Sequence, residues 1–120
     1  MGLTRIAVRV SDLAAEGEPF EGEFLVDTGA TDSMAPGDRL AEVGIEPEGK
    51  REYELGNGEP VEYDYGFALV AFEGAETVTP VAFGPPGIEP VLGVVALEGA
   101  GFTVDPVAQA LKRLPAMPLK

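Results

Sequence analysis

A mostly β fold with one or two short helices is what this sequence predicts. Alternating apolar residues recur in short runs, 16 Gly and 11 Pro are spread along the 120 residues, and few segments carry a helical period. Frequent Gly and Pro mark many turns between short elements, and period-two alternation marks half-buried strands. The length predicts one domain over residues 1–120, burying roughly two-thirds of its unfolded surface.

Arg5 to Val10 sets Ile6, Val8 and Val10 on one face and two Arg on the other, a half-buried strand. Ser11 to Pro19 then reads as a hairpin loop. Its acids Asp12, Glu16 and Glu18, with Glu21 and Glu23 beyond, lack the spacing of a calcium loop and read as a solvated face. Phe20 to Val26 is the second strand, with Phe20, Gly22, Phe24 and Val26 inward, and it delivers Asp27 to its carboxyl end. A short helix is expected within Ala35 to Gly44, from an early Pro, Leu40 and Val43 three apart, and a terminal Gly.

Lys50 to Phe72 reads as a long hairpin with Gly56-Asn57-Gly58 at its tip, where Asn-Gly predicts a type I′ turn with both central residues at positive φ. Tyr53, Tyr63 and Tyr65 lie on its arms and read as cross-strand packing. Thr77 to Phe83 is another strand, and Pro80 within it predicts an edge or a bulge. After a rigid Gly84-Pro85-Pro86-Gly87 loop, Val91-Leu92-Gly93 leads into a helical turn or two from Val94, and Phe102 to Val104 is extended again. Local signals over Asp105 to Leu114 favour a helix: Asp105 as cap, Pro106 first, and Val107, Ala110, Leu111 and Leu114 at helical spacing. The tail from Pro115 to Lys120 reads as loose.

Composition excludes several chemistries. With no Cys there is no disulfide, thiol catalysis or thiolate metal site, and with no His there is no Ser-His or Cys-His relay and no imidazole-ligated zinc. Any proton chemistry must come from carboxylates, Lys or Tyr. The net charge of −13, from 8 basic and 21 acidic residues, opposes nucleic acid and anionic membrane surfaces as partners. No run of apolar residues reads as a membrane span or signal peptide, so the expected location is cytoplasmic.

The stretch that carries chemistry is Phe24-Leu25-Val26-Asp27-Thr28-Gly29-Ala30. It sets a carboxylate at the end of a buried strand, where Asp is disfavoured unless it has partners or a task. The alternative is an Asp that merely opens a polar turn, with Gly29 supplying positive φ.

Taken with Val91-Leu92-Gly93 before a short helix and the Gly-tipped hairpin between them, this stretch resembles a retropepsin, the single-domain retroviral-type aspartic protease, in a cellular prokaryotic-type relative. The likeness spans most of residues 4–105. It implies a closed acid-protease β-barrel and an aspartic endopeptidase that needs no cofactor and no metal. Because only one Asp-Thr-Gly is present, it also implies a homodimer in which Asp27 of each copy meets on the two-fold axis, with peptide or protein as substrate.

By the same resemblance Asp27 is catalytic, and Thr28, Gly29 and Ala30 form the active-site loop. Thr31, Asp32, Gly56, Asn57 and Gly58 contact substrate, while Leu92 and Gly93 support the loop from behind. Thr31 stands where viral enzymes commonly carry Asp. The resemblance further implies that Phe102 to Asp105 and Leu111 to Leu114 are extended, against the local helical signals. Two other functions stay open: a non-catalytic module of the same fold that dimerises or binds peptides, and an unrelated acidic β-domain with a chance tetrad.

Overall fold

The computed structural model describes residues 4–105, 107–108 and 110–116. In chain order the elements are β1 (Arg5–Ser11), β2 (Phe20–Val26), β3 (Ser33–Pro36), α1 (Gly37–Glu42), β4 (Gly49–Glu54), β5 (Pro60–Phe72), β6 (Ala75–Gly84), β7 (Val91–Leu92), α2 (Val94–Gly99), β8 (Phe102–Asp105) and β9 (Ala110–Arg113). The fold is mostly β with two short helices, as the alternation predicts.

Seven strands form one sheet in the order β1-β2-β7-β3-β6-β5-β4, and β1 pairs with β5 as well, through Arg9↔Ala71, Val10↔Val70 and Ser11↔Leu69. Most pairings are antiparallel. Two are parallel, β2 with β7 and β3 with β6. Strands β8 and β9 form a separate two-stranded sheet.

The alternating residues supply the core. Val8, Val10, Phe20, Phe24 and Val26 of β1 and β2 are all buried, together with Val70 and Phe72 of β5 and Val81 of β6. Helix α2 buries Ala96 and Leu97 and packs chiefly on β6, and α1 buries Leu40. Fully burying side chains of this size removes about 1.5–3 kcal/mol each from water, so this inner layer is what fixes the strand ends that carry the polar residues.

Helix α1 is shorter than its sequence signal. Ser33–Pro36 is extended and pairs with β6 from Ser33↔Val81 to Pro36↔Gly84, so the helix begins only at Gly37. Its end follows the stop signal: Gly44 stands at φ +93°, its N–H donates to the Ala41 carbonyl, and the Ile45 N–H reaches back to the Leu40 carbonyl. That is a Schellman closure, with buried Leu40 and Ile45 as its apolar pair.

Two other expectations change. The hairpin tip between β4 and β5 is not a type I′ turn. Gly58 N–H donates to Leu55 O at 2.8 Å and Leu55 N–H to Glu59 O at 2.8 Å, and of Gly56, Asn57 and Gly58 only Gly58 has positive φ, +87°. The Asn57 side chain explains the difference, because its Oδ1 accepts the Glu59 N–H at 3.0 Å and holds a wider loop. A two-residue turn with both residues at positive φ lies instead at Glu73 (52°) and Gly74 (79°), between β5 and β6.

Strand β6 is not an edge, since it lies between β3 and β5. Pro80 nonetheless sits just before β3 joins at Val81, so at that residue the strand has one partner and the missing N–H costs no second ladder bond.

The helical alternative over 106–114 gives way to the extended one. Asp105 Oδ1 does accept N–H groups, from Val107 at 2.9 Å and Ala108 at 3.2 Å, but it closes a turn that leads into β9. The cap signal is therefore real and serves a hairpin: Phe102 is buried against Phe72, β8 pairs with β9, and Val107, which a helix would have set on its apolar stripe, stands 93% exposed in the turn between them. Pro106 and the end of the expected loose tail, 117–120, lie outside the described residues.

Candidate functional site

Asp27 is the first residue past β2. Its N–H donates to the Leu92 carbonyl at 3.1 Å, its carbonyl accepts the Ala30 N–H at 3.1 Å, and its Oδ1 accepts the Gly29 N–H at 2.9 Å. The side chain is thereby aimed by its own turn while Asp27, Thr28 and Gly29 all stay exposed. Gly29 does not take positive φ, so the polar-turn alternative in that form does not hold. A Cβ on Gly29 would lie 3.2 Å from Asp27 Oδ1 and crowd the carboxylate.

The loop is held from beneath by β7 and α2. Val26 and Leu92 pair in register, so the parallel strand β7 runs alongside β2 up to the acid. Beyond it, Gly93 N–H donates to Ser33 Oγ at 3.0 Å, Val94 N–H to Ala30 O at 2.8 Å, and Val95 N–H to Thr31 O at 3.1 Å. These are the amide groups that the first turn of a helix leaves unpaired. Gly93 is required by close approach, since a Cβ there would meet the Asp32 and Thr31 carbonyl oxygens at 2.6 and 2.7 Å.

Above the loop lies a groove of about 810 Å³. Asp27, Gly29, Ala30, Thr31 and Asp32 line its floor, and Arg51, Tyr53, Leu55 and Gly56 of the β4–β5 hairpin line its wall. Of the residues singled out from sequence, the groove thus gathers Asp27, Gly29, Ala30, Thr31, Asp32 and Gly56. Thr28, Asn57 and Gly58 are exposed but outside the lining, and Leu92 and Gly93 are buried behind it.

Asp32 is the second acid in the groove, and its setting differs from that of Asp27. Its side chain is only 6% exposed, and Oδ2 accepts from Arg51 Nη1 at 2.8 Å and from the Tyr53 hydroxyl at 2.9 Å. The Arg51 guanidinium lies over the Tyr65 ring at 4.0 Å, and the Tyr53 and Tyr63 rings are 6.2 Å apart. Burial, then the hydrogen bond to Asp32, push the Tyr53 hydroxyl well above its usual range, and the same carboxylate raises Arg51.

Arg51 and Tyr53 are the site residues that sequence reasoning missed. Their spacing of two sets them on one face of a strand, which is legible. That this face meets Asp32 is a long-range contact with no local signal.

Among the described residues no three acids are placed to hold a metal ion, and no helix is long and apolar enough to cross a membrane.

No family model matches the sequence, and no curated protein matches it. Among solved structures the chain is similar to a retropepsin-like aspartic protease from Rickettsia conorii. The two are 21% identical over 87% of this chain and 85% of that one, with a TM-score of 0.47.

Proposed function

We propose that this chain is an aspartic endopeptidase of the retropepsin type, acting as a homodimer of single-domain subunits over residues 1–120. The observation that carries the reading is the placement of Asp27. An exposed carboxylate, aimed by the Gly29 N–H at 2.9 Å, stands on the floor of a groove beneath a glycine-tipped hairpin. The β1–β5 pairing fits the closed acid-protease barrel that goes with this function.

Peptide hydrolysis without metal or covalent nucleophile needs one carboxylate to take a proton from water and a neighbouring carboxylic acid to give one to the scissile carbonyl. Asp27 and the partner's Asp27 would supply the two, sharing one proton because two close carboxyls cannot both ionise. Water adds to the carbonyl carbon as its proton passes to the carboxylate. Collapse of the resulting diol breaks the C–N bond: the proton taken from water goes to the leaving amine, and one diol hydroxyl gives its proton to the other carboxylate, which restores the shared-proton pair. In this reading Thr28 sits at the subunit contact, while Gly29, Ala30 and Thr31 bed the substrate backbone. The tip at Gly56, Asn57 and Gly58 closes over the substrate, its freedom coming from exposed backbone with little packing.

The test is cleavage of a denatured protein mixture between pH 4 and 7 by the wild type and by Asp27→Asn. Cleavage that disappears in the variant while its fold is kept supports the assignment. Cleavage retained by Asp27→Asn rejects it, and peptide binding without cleavage by either protein marks a binding module instead.

A further inference from the structure

Asp32 connects two parts of the groove that the backbone does not connect. It lies in the loop that begins at Asp27, and its buried carboxylate is satisfied from the facing hairpin, by Arg51 Nη1 at 2.8 Å and Tyr53 OH at 2.9 Å on the same oxygen. A carboxylate withdrawn from water needs such partners, and removing one leaves a buried charge undercompensated. Both partners sit on one face of β4, and each is itself packed, Arg51 on Tyr65 and Tyr53 on Tyr63.

The loop is meanwhile fixed from the other side by Gly93, Val94 and Val95, which bond Ser33, Ala30 and Thr31. Beyond Tyr53 the hairpin changes character: residues 54–60 are all exposed. The tie to Asp32 therefore falls at the last residue of the arm that is not exposed; beyond it Glu54 and Leu55 are held by their backbone pairing to Pro60 and Glu59.

We infer that Arg51 and Tyr53 are positioning residues: through Asp32 they clamp the first arm of the hairpin to the Asp27 loop, set the groove's width there, and confine hairpin motion to the tip beyond Tyr53. Only the catalytic consequence rests on the proposed peptidase activity. The coupling between arm and loop does not. Breaking the clamp leaves the Gly29 and Leu92 bonds of Asp27 in place, so substrate binding suffers more than turnover.

The experiment is amide hydrogen exchange followed by mass spectrometry on the full chain, for wild type, Tyr53→Phe, Asp32→Asn and Asp27→Asn. Tyr53→Phe removes one hydroxyl and keeps both charges. It is expected to accelerate exchange roughly tenfold or more in segments 27–32 and 49–54 together, with β1 and β2 unchanged. Asp27→Asn is expected to leave both segments at the wild-type rate. Acceleration confined to 49–54, or absent from both segments, overturns the clamp.

If Asp32→Asn loses protection everywhere, Tyr53→Phe carries the test alone. On a cleaved peptide, Tyr53→Phe is expected to raise KM severalfold while kcat changes little, and an unchanged KM overturns the proposal. A wild type that cleaves nothing rejects the peptidase reading, and the exchange result still decides the clamp.

Discussion

The Gly93 amide donates to the Ser33 hydroxyl at 3.0 Å, and this buried bond joins residues sixty apart in sequence. Ser33 opens β3 and Gly93 caps α2, so the bond holds the two ends of the structure under the Asp27 loop together. Ser33→Ala leaves a buried N–H without a partner, at a cost of about 1–3 kcal/mol. Gly93→Ala drives a methyl into the Thr31 and Asp32 carbonyls and is expected to destabilise more than Ser33→Ala does. Chemical denaturation of both variants checks the order, and a Gly93→Ala protein as stable as wild type would contradict the close approach.

Much of this architecture is legible in the sequence, for reasons that differ by element. Strands β1 and β2 carry strict alternation because one face is core and the other solvent. Gly44 and Gly101 stop their helices at positive φ, φ +93° and φ +86°, which is a backbone requirement that only composition need satisfy. What was not legible depends on partners distant in sequence. Strand β3 is four residues long and has no period of its own, and β6 and β7 make it a strand. Asp105 carries a helix-cap signal that tertiary packing turns to a hairpin. Asp32 is expected from the resemblance to contact substrate, and its 6% exposed side chain is instead engaged by Arg51 and Tyr53, partners that lie far from it in sequence.

Thr79 is 1% exposed, and among the described residues its Oγ1 has no hydrogen-bond partner. It lies on β6 opposite buried Ala68, within the apolar layer. Replacing an unsatisfied buried hydroxyl by a methyl removes a desolvation cost, so Thr79→Val is expected to raise stability by about 1 kcal/mol. The rise is read as a higher denaturant midpoint at constant slope. A loss of stability would mean that the hydroxyl is bonded in solution.

The Tyr53 hydroxyl makes stability depend on alkaline pH. Burial and the Asp32 carboxylate both disfavour its phenolate, so its folded-state proton affinity exceeds that of the unfolded chain. The folded state then keeps a proton that the unfolded state releases. Tyr53's contribution is full below the ordinary tyrosine value near 10 and is lost as pH rises beyond it. Denaturation curves at a series of pH values should show wild-type stability falling more steeply above about pH 10 than that of Tyr53→Phe. Equal slopes would show that Tyr53 ionises in the folded protein as readily as in the unfolded chain.

Association has the most at stake, because one chain supplies one Asp27 and the proposed chemistry needs two. Each copy carries a net charge of −13 at pH 7, so two copies repel over their whole surfaces, most strongly when little salt is present. Five ion pairs within the described residues, four of them exposed on both partners, do not relieve this, since they leave the excess of acids unchanged. Added salt is therefore expected to tighten the dimer, and so is acidification toward the low isoelectric point, as carboxylates take up protons. Cleavage should follow the dimer population, rising with moderate salt and with falling pH until the fold itself is lost. Sedimentation equilibrium across salt and pH, run beside the cleavage assay, measures both quantities. Subunits that stay apart at micromolar concentration under every condition, or that part as salt is added, would defeat a site shared between two copies of Asp27.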